Sequence, residues 1–239
     1  MNLCIDCGNS STKIGLFDQI NLIKEFTYEN FVIDDAIKLI EENRIDSCII
    51  SSVVNDLTII KYLKKNIPFF IELSEKTKLP IENRYSTPAT LGKDRLAAII
   101  GATFLKPECD ILVIDAGTAI TYDFIDSNLI YWGGNIAPGL SIRLRSLHEF
   151  TQKLPLVQPE TESRFLGDST KSAILSGAVY GIVFEIEGYI NELKIKYPQL
   201  SVFLTGGSTF YFDNKLKSAI FAEKNLVLIG LNRILHYNV

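Results

Sequence analysis

Asp6-Cys7-Gly8-Asn9-Ser10-Ser11-Thr12-Lys13 is the stretch on which the reading of this chain turns. An apolar run (Leu3, Cys4, Ile5) reaches a carboxylate, turns through Gly8-Asn9 and continues as a second apolar run (Ile14, Gly15, Leu16, Phe17), the pattern of a β-hairpin with a polar tip. Such a tip suits phosphate. Gly8 lets backbone approach closely, Ser10, Ser11 and Thr12 offer hydroxyl donors, Lys13 brings charge, and Asp6 at the strand end is placed to hold a metal through water. Taken alone, the same residues equally describe an ordinary N-terminal hairpin.

A second copy decides between these. Ile114-Asp115-Ala116-Gly117-Thr118-Ala119-Ile120-Thr121 repeats Ile5 to Thr12: a strand, an Asp, a Gly two residues later, then small hydroxylic residues. Each copy is followed by another strand-like run, Ile20 to Phe26 and Leu129 to Trp132, so the repeat is a whole three-stranded unit. Two related halves facing a cleft would bring both Asp-x-Gly tips to one polyphosphate. Lys106-Pro107-Glu108 is the clearest break between them. The expected domains are therefore 1–109 and 110–239.

The 239 residues suffice for two such halves, and 47% hydrophobic with 22% charged residues is the balance of a globular enzyme. A net charge of −4 and the lack of a basic run argue against nucleic acid as a partner. No uncharged apolar segment approaches the ~18 residues of a membrane span, and the N-terminus lacks signal-peptide character, so a cytoplasmic protein without a membrane partner is expected. Cys4 and Cys7 form a C-x-x-C, but residues three apart on a strand face opposite ways and no second pair exists. Core packing as reduced thiols accounts for them better than metal or redox use.

Between the two tips the pattern continues from the first strands into a helix (Val32 to Asn43), a strand (Cys48 to Val54), a helix capped by Asp56 and a strand (Phe69 to Leu73). That order describes a mixed sheet with helices on its faces. Gly92-Lys93-Asp94-Arg95 then opens an apolar helix from Leu96 to Phe104. Asp94 there serves either as a cap that favours the helix dipole or as a functional carboxylate. Gly92-Lys93 mimics the end of a P-loop, but Asp94 replaces the needed Ser or Thr, and position 87 lacks the Gly.

In the second half, the glycines of Gly133-Gly134-Asn135-Ile136-Ala137-Pro138-Gly139 imply a tightly specified turn. Gly167-Asp168-Ser169-Thr170 caps a long helix, and Gly206-Gly207 follows a strand where a flat ligand such as a nucleobase could approach.

Together these pieces resemble the type III pantothenate kinases, of the superfamily that includes acetate and sugar kinases, heat-shock ATPases and actin. The resemblance runs nearly end to end. It rests on Asp6-x-Gly-Asn-Ser, Tyr85-x-x-Pro88, Gly92-x-Asp94-Arg95, Asp115-x-Gly117-Thr118, Gly133-Gly134-x-Ile136-x-Pro138-Gly139, Thr170 with Ser176-Gly177, and Thr205-Gly206-Gly207. Two departures are mild: Ser10 stands where the family has Thr, and Ser169 where it commonly has Asn. Both keep hydrogen-bonding capacity.

The resemblance implies an α/β fold of two ribonuclease H-like (actin-like ATPase) domains, each a mixed sheet flanked by helices. It implies ATP-dependent phosphorylation of pantothenate to 4'-phosphopantothenate, with Mg²⁺ and a monovalent cation, K⁺ or NH₄⁺, and a homodimer whose acceptor pocket lies near the interface. Phosphate contacts fall to Asp6, Cys7, Gly8, Asn9, Ser10, Ser11, Thr12, Lys13 and Thr118, with Gly206 and Gly207 on the nucleoside side. Asp94 resembles the general base, and Tyr85, Gly92, Lys93, Arg95 and Thr170 resemble acceptor contacts. Asp115 resembles the monovalent-cation ligand and Asp6 a divalent one. A nucleotide-binding regulatory protein of this fold, or a kinase for another small alcohol, stands as the alternative.

Overall fold

The computed structural model describes the chain apart from Asn9 and residues 53–56, with the side chain of Asp213 also outside the described residues. Asn9 as a phosphate contact, Asp56 as a cap and the strand end expected at Val54 therefore lie outside what is described. The chain divides into two compact units, Met1–Glu108 with Ser127–Trp132 and Asn225–Val239, and Cys109–Asp126 with Gly133–Lys224.

In the first unit β1 (Asn2–Cys7), β2 (Thr12–Asp18) and β3 (Asn21–Tyr28) form an antiparallel meander. On the far side of β1, β4 (Ser47–Ser52) and β5 (Phe69–Glu72) pair in parallel, giving the order β3-β2-β1-β4-β5. Parallel neighbours need crossovers, which α1 (Ile33–Glu42) and α2 (Leu57–Asn66) supply. β1 is apolar without alternation because both its faces are covered. Leu3 and Ile5 pack with Ala36, Leu39 and Leu63, whereas Cys4 joins a separate cluster with Ala97, Ile100, Leu231 and Ile234.

Cys7 leans on the first of these clusters and Cys4 lies in the second, so the C-x-x-C residues serve different faces of one sheet. Burial pushes the Cys4 and Cys48 thiols well above their ordinary range, which keeps both protonated.

The second cluster is built by α3 (Lys93–Leu105) and the last helix, α6 (Leu226–Asn238). The helices meet at glycines: a Cβ on Gly101 would collide with the Leu226 carbonyl oxygen, and one on Gly230 with that of Ala97. The first unit runs to Glu108 in its longest segment, and α6 packs within it. A short strand, β6 (Glu82–Asn83), pairs with Ile130 and Tyr131 of the same unit.

The second unit contains β7 (Ile111–Ala116), β8 (Ala119–Ile125), most of β9 (Ile130–Pro138), α4 (Leu140–Glu149), α5 (Thr170–Lys196), β10 (Ser201–Thr205) and β11 (Phe221–Ala222). Its strands run β9-β8-β7-β10-β11, with β7 and β8 antiparallel and β10 parallel to β7. This is the order of the first unit again. The repeat seen at the two tips thus extends to five strands of each sheet.

The stretch expected as a turn at 133–139 continues β9 as far as Pro138, and Gly139 becomes the N-cap of α4. The glycines have a packing reason instead: a Cβ on Gly134 would strike the Tyr122 carbonyl of β8, and Gly133 has φ of 106°. Among the described residues α5 is long and apolar enough to cross a membrane by length and composition. Its residues Ile182, Ile186 and Ile190 lie in the core of this unit with Ile114, Tyr122 and Val202.

Candidate active site

The first tip is closed by its own backbone: Gly8 N–H donates to the Ser11 carbonyl at 3.1 Å. A Cβ on Gly8 would stand 3.2 Å from that oxygen, so a larger residue would crowd the turn. Asp6 and Lys13 are direct cross-strand partners in the β1–β2 register, and both are half-buried. A cavity of about 210 Å³ beside the tip is lined by Cys7, Gly8, Ser10, Ser11 and Thr12, with Phe31, Ile50 and Ile60 among its apolar walls. Its walls offer hydroxyls and backbone donors suited to phosphate but also carry Glu29, whereas Asp6 and Lys13 are not among its lining and, one residue along each strand from Cys7 and Thr12, face the other side of the sheet.

A second group of expected residues assembles at the head of α3. Gly92 is the N-cap, Lys93 and Asp94 begin the first turn, and the Asp94 Oδ1 accepts the Arg95 N–H at 2.9 Å. Arg95 is 6% exposed, and its guanidinium carbon lies 5.7 Å from the centre of the Tyr85 ring. Tyr85 in turn stacks on Tyr131, with ring centres 6.3 Å apart, and donates its N–H to Asn83 Oδ1 at 2.9 Å. An arginine held against an aromatic ring has its planar face supported, which suits recognition of a carboxylate. Tyr131 is a neighbour that the sequence does not single out. Its signal there is an aromatic in a short apolar run, which any core strand could carry.

The second tip lies in the second unit. Gly117 N–H donates to the Ala119 carbonyl at 3.0 Å, and Gly139 N–H to the Thr118 carbonyl at 3.0 Å. The tips differ in length: Gly8 to Ser11 separate the ladder pair Cys7 and Thr12, but only Gly117 to Ala119 separate Ala116 and Ile120. Consequently Thr121 pairs with Asp115, the place that Lys13 takes opposite Asp6, and does not correspond to Thr12. Gly206, with φ of 101°, brings its backbone so close that a Cβ would press on Asp115 Oδ1. Gly207 follows it with open space around its Cβ position. Thr170 is the exposed first residue of α5, behind the cap in which Ser169 Oγ accepts the Ser172 N–H at 3.2 Å.

The donor sets suit the two kinds of cation in different ways. No cluster of three or more His, Cys, Asp or Glu side chains forms among the described residues. Mg²⁺ needs no such cage, since one or two carboxylates plus substrate phosphates and water fill its shell, and Asp6 beside the tip fits that pattern. Asp115 pairs across the ladder with Thr121, whose hydroxyl is buried with no hydrogen-bond partner among the described residues. A carboxylate beside an unsatisfied hydroxyl oxygen suits a hard cation.

Two sheets of one strand order, each with a Gly-containing hydroxylic hairpin tip behind an Asp, mark a phosphate-handling protein of the actin-like ATPase and sugar-kinase fold. Solved structures agree: a Campylobacter jejuni protein named for the Baf family of transcriptional activators matches with TM-score 0.63 at 25% identity, over 99% of this chain and 98% of its own. The activator of 2-hydroxyisocaproyl-CoA dehydratase from Clostridium difficile, solved with ADPNP bound, matches with TM-score 0.55 at 11% identity, over 99% and 93%. The profile of the family described as type III pantothenate kinase matches residues 2–192. A type III pantothenate kinase of Phocaeicola vulgatus is 49% identical over 239 residues, covering 100% of this chain and 99% of that protein. The chain belongs to the type III pantothenate kinase family.

Proposed function

We infer that this chain transfers the terminal phosphate of ATP to the primary hydroxyl of pantothenate, the first step of coenzyme A biosynthesis. Family membership supports the reaction. The observation that carries the residue assignment is the head of α3, where Asp94 adjoins the buried Arg95 and Arg95 lies against Tyr85. Asp94 takes the hydroxyl proton as that oxygen bonds to the γ-phosphorus and the bridging oxygen leaves with ADP. Arg95 pairs with the pantothenate carboxylate. Lys93, Gly92, Tyr85 and Thr170 complete the acceptor contacts.

Donors of the first tip, from Gly8 to Lys13, hold the ATP phosphates, with Thr118 as a further phosphate contact and Gly206 and Gly207 on the nucleoside side. Asp6 holds Mg²⁺, which when bound offsets phosphate charge. Asp115 with Thr121 holds K⁺ or NH₄⁺. In this reading the protein works in the cytoplasm as a homodimer with the acceptor pocket near the interface. The ring cluster of Phe165, Tyr180 and Phe184 supports such an interface, since Phe165 and Phe184 are 60% and 59% exposed.

The test is turnover of Asp94→Asn with pantothenate, ATP, Mg²⁺ and K⁺. A loss of roughly 10²-fold or more with an unchanged circular dichroism spectrum is expected. Near wild-type turnover would remove Asp94 as the base. ATP binding by the wild-type protein without transfer to pantothenate would support a regulatory protein, and transfer to other hydroxy acids in its place would support a different kinase.

A further inference from the structure

Glu185 is a carboxylate on α5 between the buried Ile182 and Ile186, and neither the phosphate nor the acceptor chemistry uses it. Its two oxygens are divided between two elements. Oε1 accepts the Tyr122 hydroxyl at 2.8 Å, and Oε2 meets Arg143 Nη2 at 2.6 Å. Arg143, on α4, also donates its Nε–H to the Pro138 carbonyl at 2.8 Å. The pair is shielded, with side-chain exposures of 20% for Arg143 and 27% for Glu185.

These contacts end on the second tip. Pro138 precedes Gly139, whose N–H donates to the Thr118 carbonyl, and on which a Cβ would collide with the Gly117 and Thr118 carbonyls. Tyr122 belongs to β8, the strand that leaves the same tip, and it stacks on Tyr189 of α5 with ring centres 4.2 Å apart. Burial, and next the bonded Glu185, push the Tyr122 phenol far above its ordinary range, so it remains a donor. One carboxylate on α5 thus ties both backbones that flank Gly117 and Thr118. A shielded, charge-assisted bond of this kind holds geometry far better than an exposed surface pair.

We propose that Arg143 and Glu185 are positioning residues for the phosphate contact at Thr118, holding Pro138 and Gly139 against the tip from α4 and α5. The proposal rests on the reading of Thr118 as a phosphate contact. Lys at 143 keeps the charge but lacks the planar fork needed to bond a carbonyl and a carboxylate together. Gln at 185 keeps an acceptor for Tyr122 while removing the charge that holds Arg143.

The experiment compares Arg143→Lys, Glu185→Gln and Thr118→Ala in the full chain by hydrogen exchange of the Gly139 amide and by steady-state kinetics. Both positioning variants are expected to speed Gly139 exchange by roughly tenfold or more, since the local opening becomes easier. They should raise KM for ATP about 5- to 20-fold while KM for pantothenate stays within about twofold, the range of one lost charge-assisted contact. Adding Arg143→Lys to Thr118→Ala should raise KM for ATP no further. Unchanged Gly139 exchange in both variants overturns the positioning role. So does an equal rise in both KM values, or an undiminished effect of Arg143→Lys in the Thr118→Ala background. If Thr118→Ala leaves KM for ATP unchanged, the phosphate reading of Thr118 fails, and Gly139 exchange alone then decides whether the two residues hold the tip.

Discussion

The Asp94 carboxylate occupies space that any side chain at position 92 would need: a Cβ on Gly92 would stand 2.5 Å from Asp94 Oδ1. Gly92 has φ of −56°, a value open to every residue, so its role is to leave room and not to relieve the backbone. The two positions act as one feature of the α3 head, which also fixes Arg95 through its N–H bond to Oδ1.

Gly92→Ala therefore reports on the placement of Asp94. Turnover should fall at least about tenfold, as expected when a catalytic group leaves its productive geometry. Melting should stay within a few degrees, because the backbone accepts alanine and only about 1 kcal/mol of capping preference is at stake. Parallel kinetics and calorimetry measure both, and full activity in the variant would detach Gly92 from the chemistry.

Thr121→Val separates a cation ligand from a merely unsatisfied hydroxyl. Without K⁺ the variant should match or exceed wild-type stability by up to about 1 kcal/mol, since a buried unpaired hydroxyl is removed. If Asp115 and Thr121 hold K⁺ as proposed, K⁺ should raise the melting temperature of the wild type, and the rise should shrink in the variant. An identical K⁺ shift in both proteins would exclude the Thr121 oxygen from the site beside Asp115.

Through α3, the helix whose head carries Asp94 and Arg95, Gly230→Ala should destabilise the first unit. Its Cβ would strike the Ala97 backbone, and overpacking a fixed helix crossing costs roughly 1–3 kcal/mol. Urea titration should show a lower midpoint. An unaltered midpoint would mean that α3 and α6 separate more freely than this crossing allows.

Glu187 sets an acid limit on the second unit. Partial burial raises its carboxyl, but the Ser218 hydroxyl at 2.7 Å and the N–H groups of Ser218 and Lys217 at 3.0 and 2.6 Å outweigh that and hold it below its ordinary range. A depressed folded value means that this stability is fully present above the unfolded carboxylate value of about 4.3 and is lost as pH falls through the folded value. Glu187→Gln should lower stability near neutrality by about 1 kcal/mol, a figure already reduced for solvent screening, and flatten its decline below about pH 5. Denaturant midpoints measured between neutral and acidic pH check this, and parallel curves for the two proteins would refute it.

Much of this molecule is legible in its sequence because the governing interactions are local. Apolar runs, Gly turns and caps mark β1 and β2, β7 and β8, and the start of α5 at Ser169, since each depends on residues within a few positions. Gly133 and Gly134 mislead for the same reason: locally they read as a turn, whereas inside β9 the close approach of β8 demands glycine at 134 and a φ of 106° favours it at 133.

What the chain's order of residues determined by itself is the duplicated hairpin, the Asp at each strand end, the charged head of α3 and the family that these pieces resemble. Tertiary structure alone decided that Arg95 lies against Tyr85, that Thr121 pairs with Asp115, that α6 returns to α3, and that Glu185 reaches both Arg143 and Tyr122. Each of these relations depends on strand register or helix packing. A one-residue difference in tip length changes which side chains meet across a ladder, and no local pattern records it until the sheet has closed.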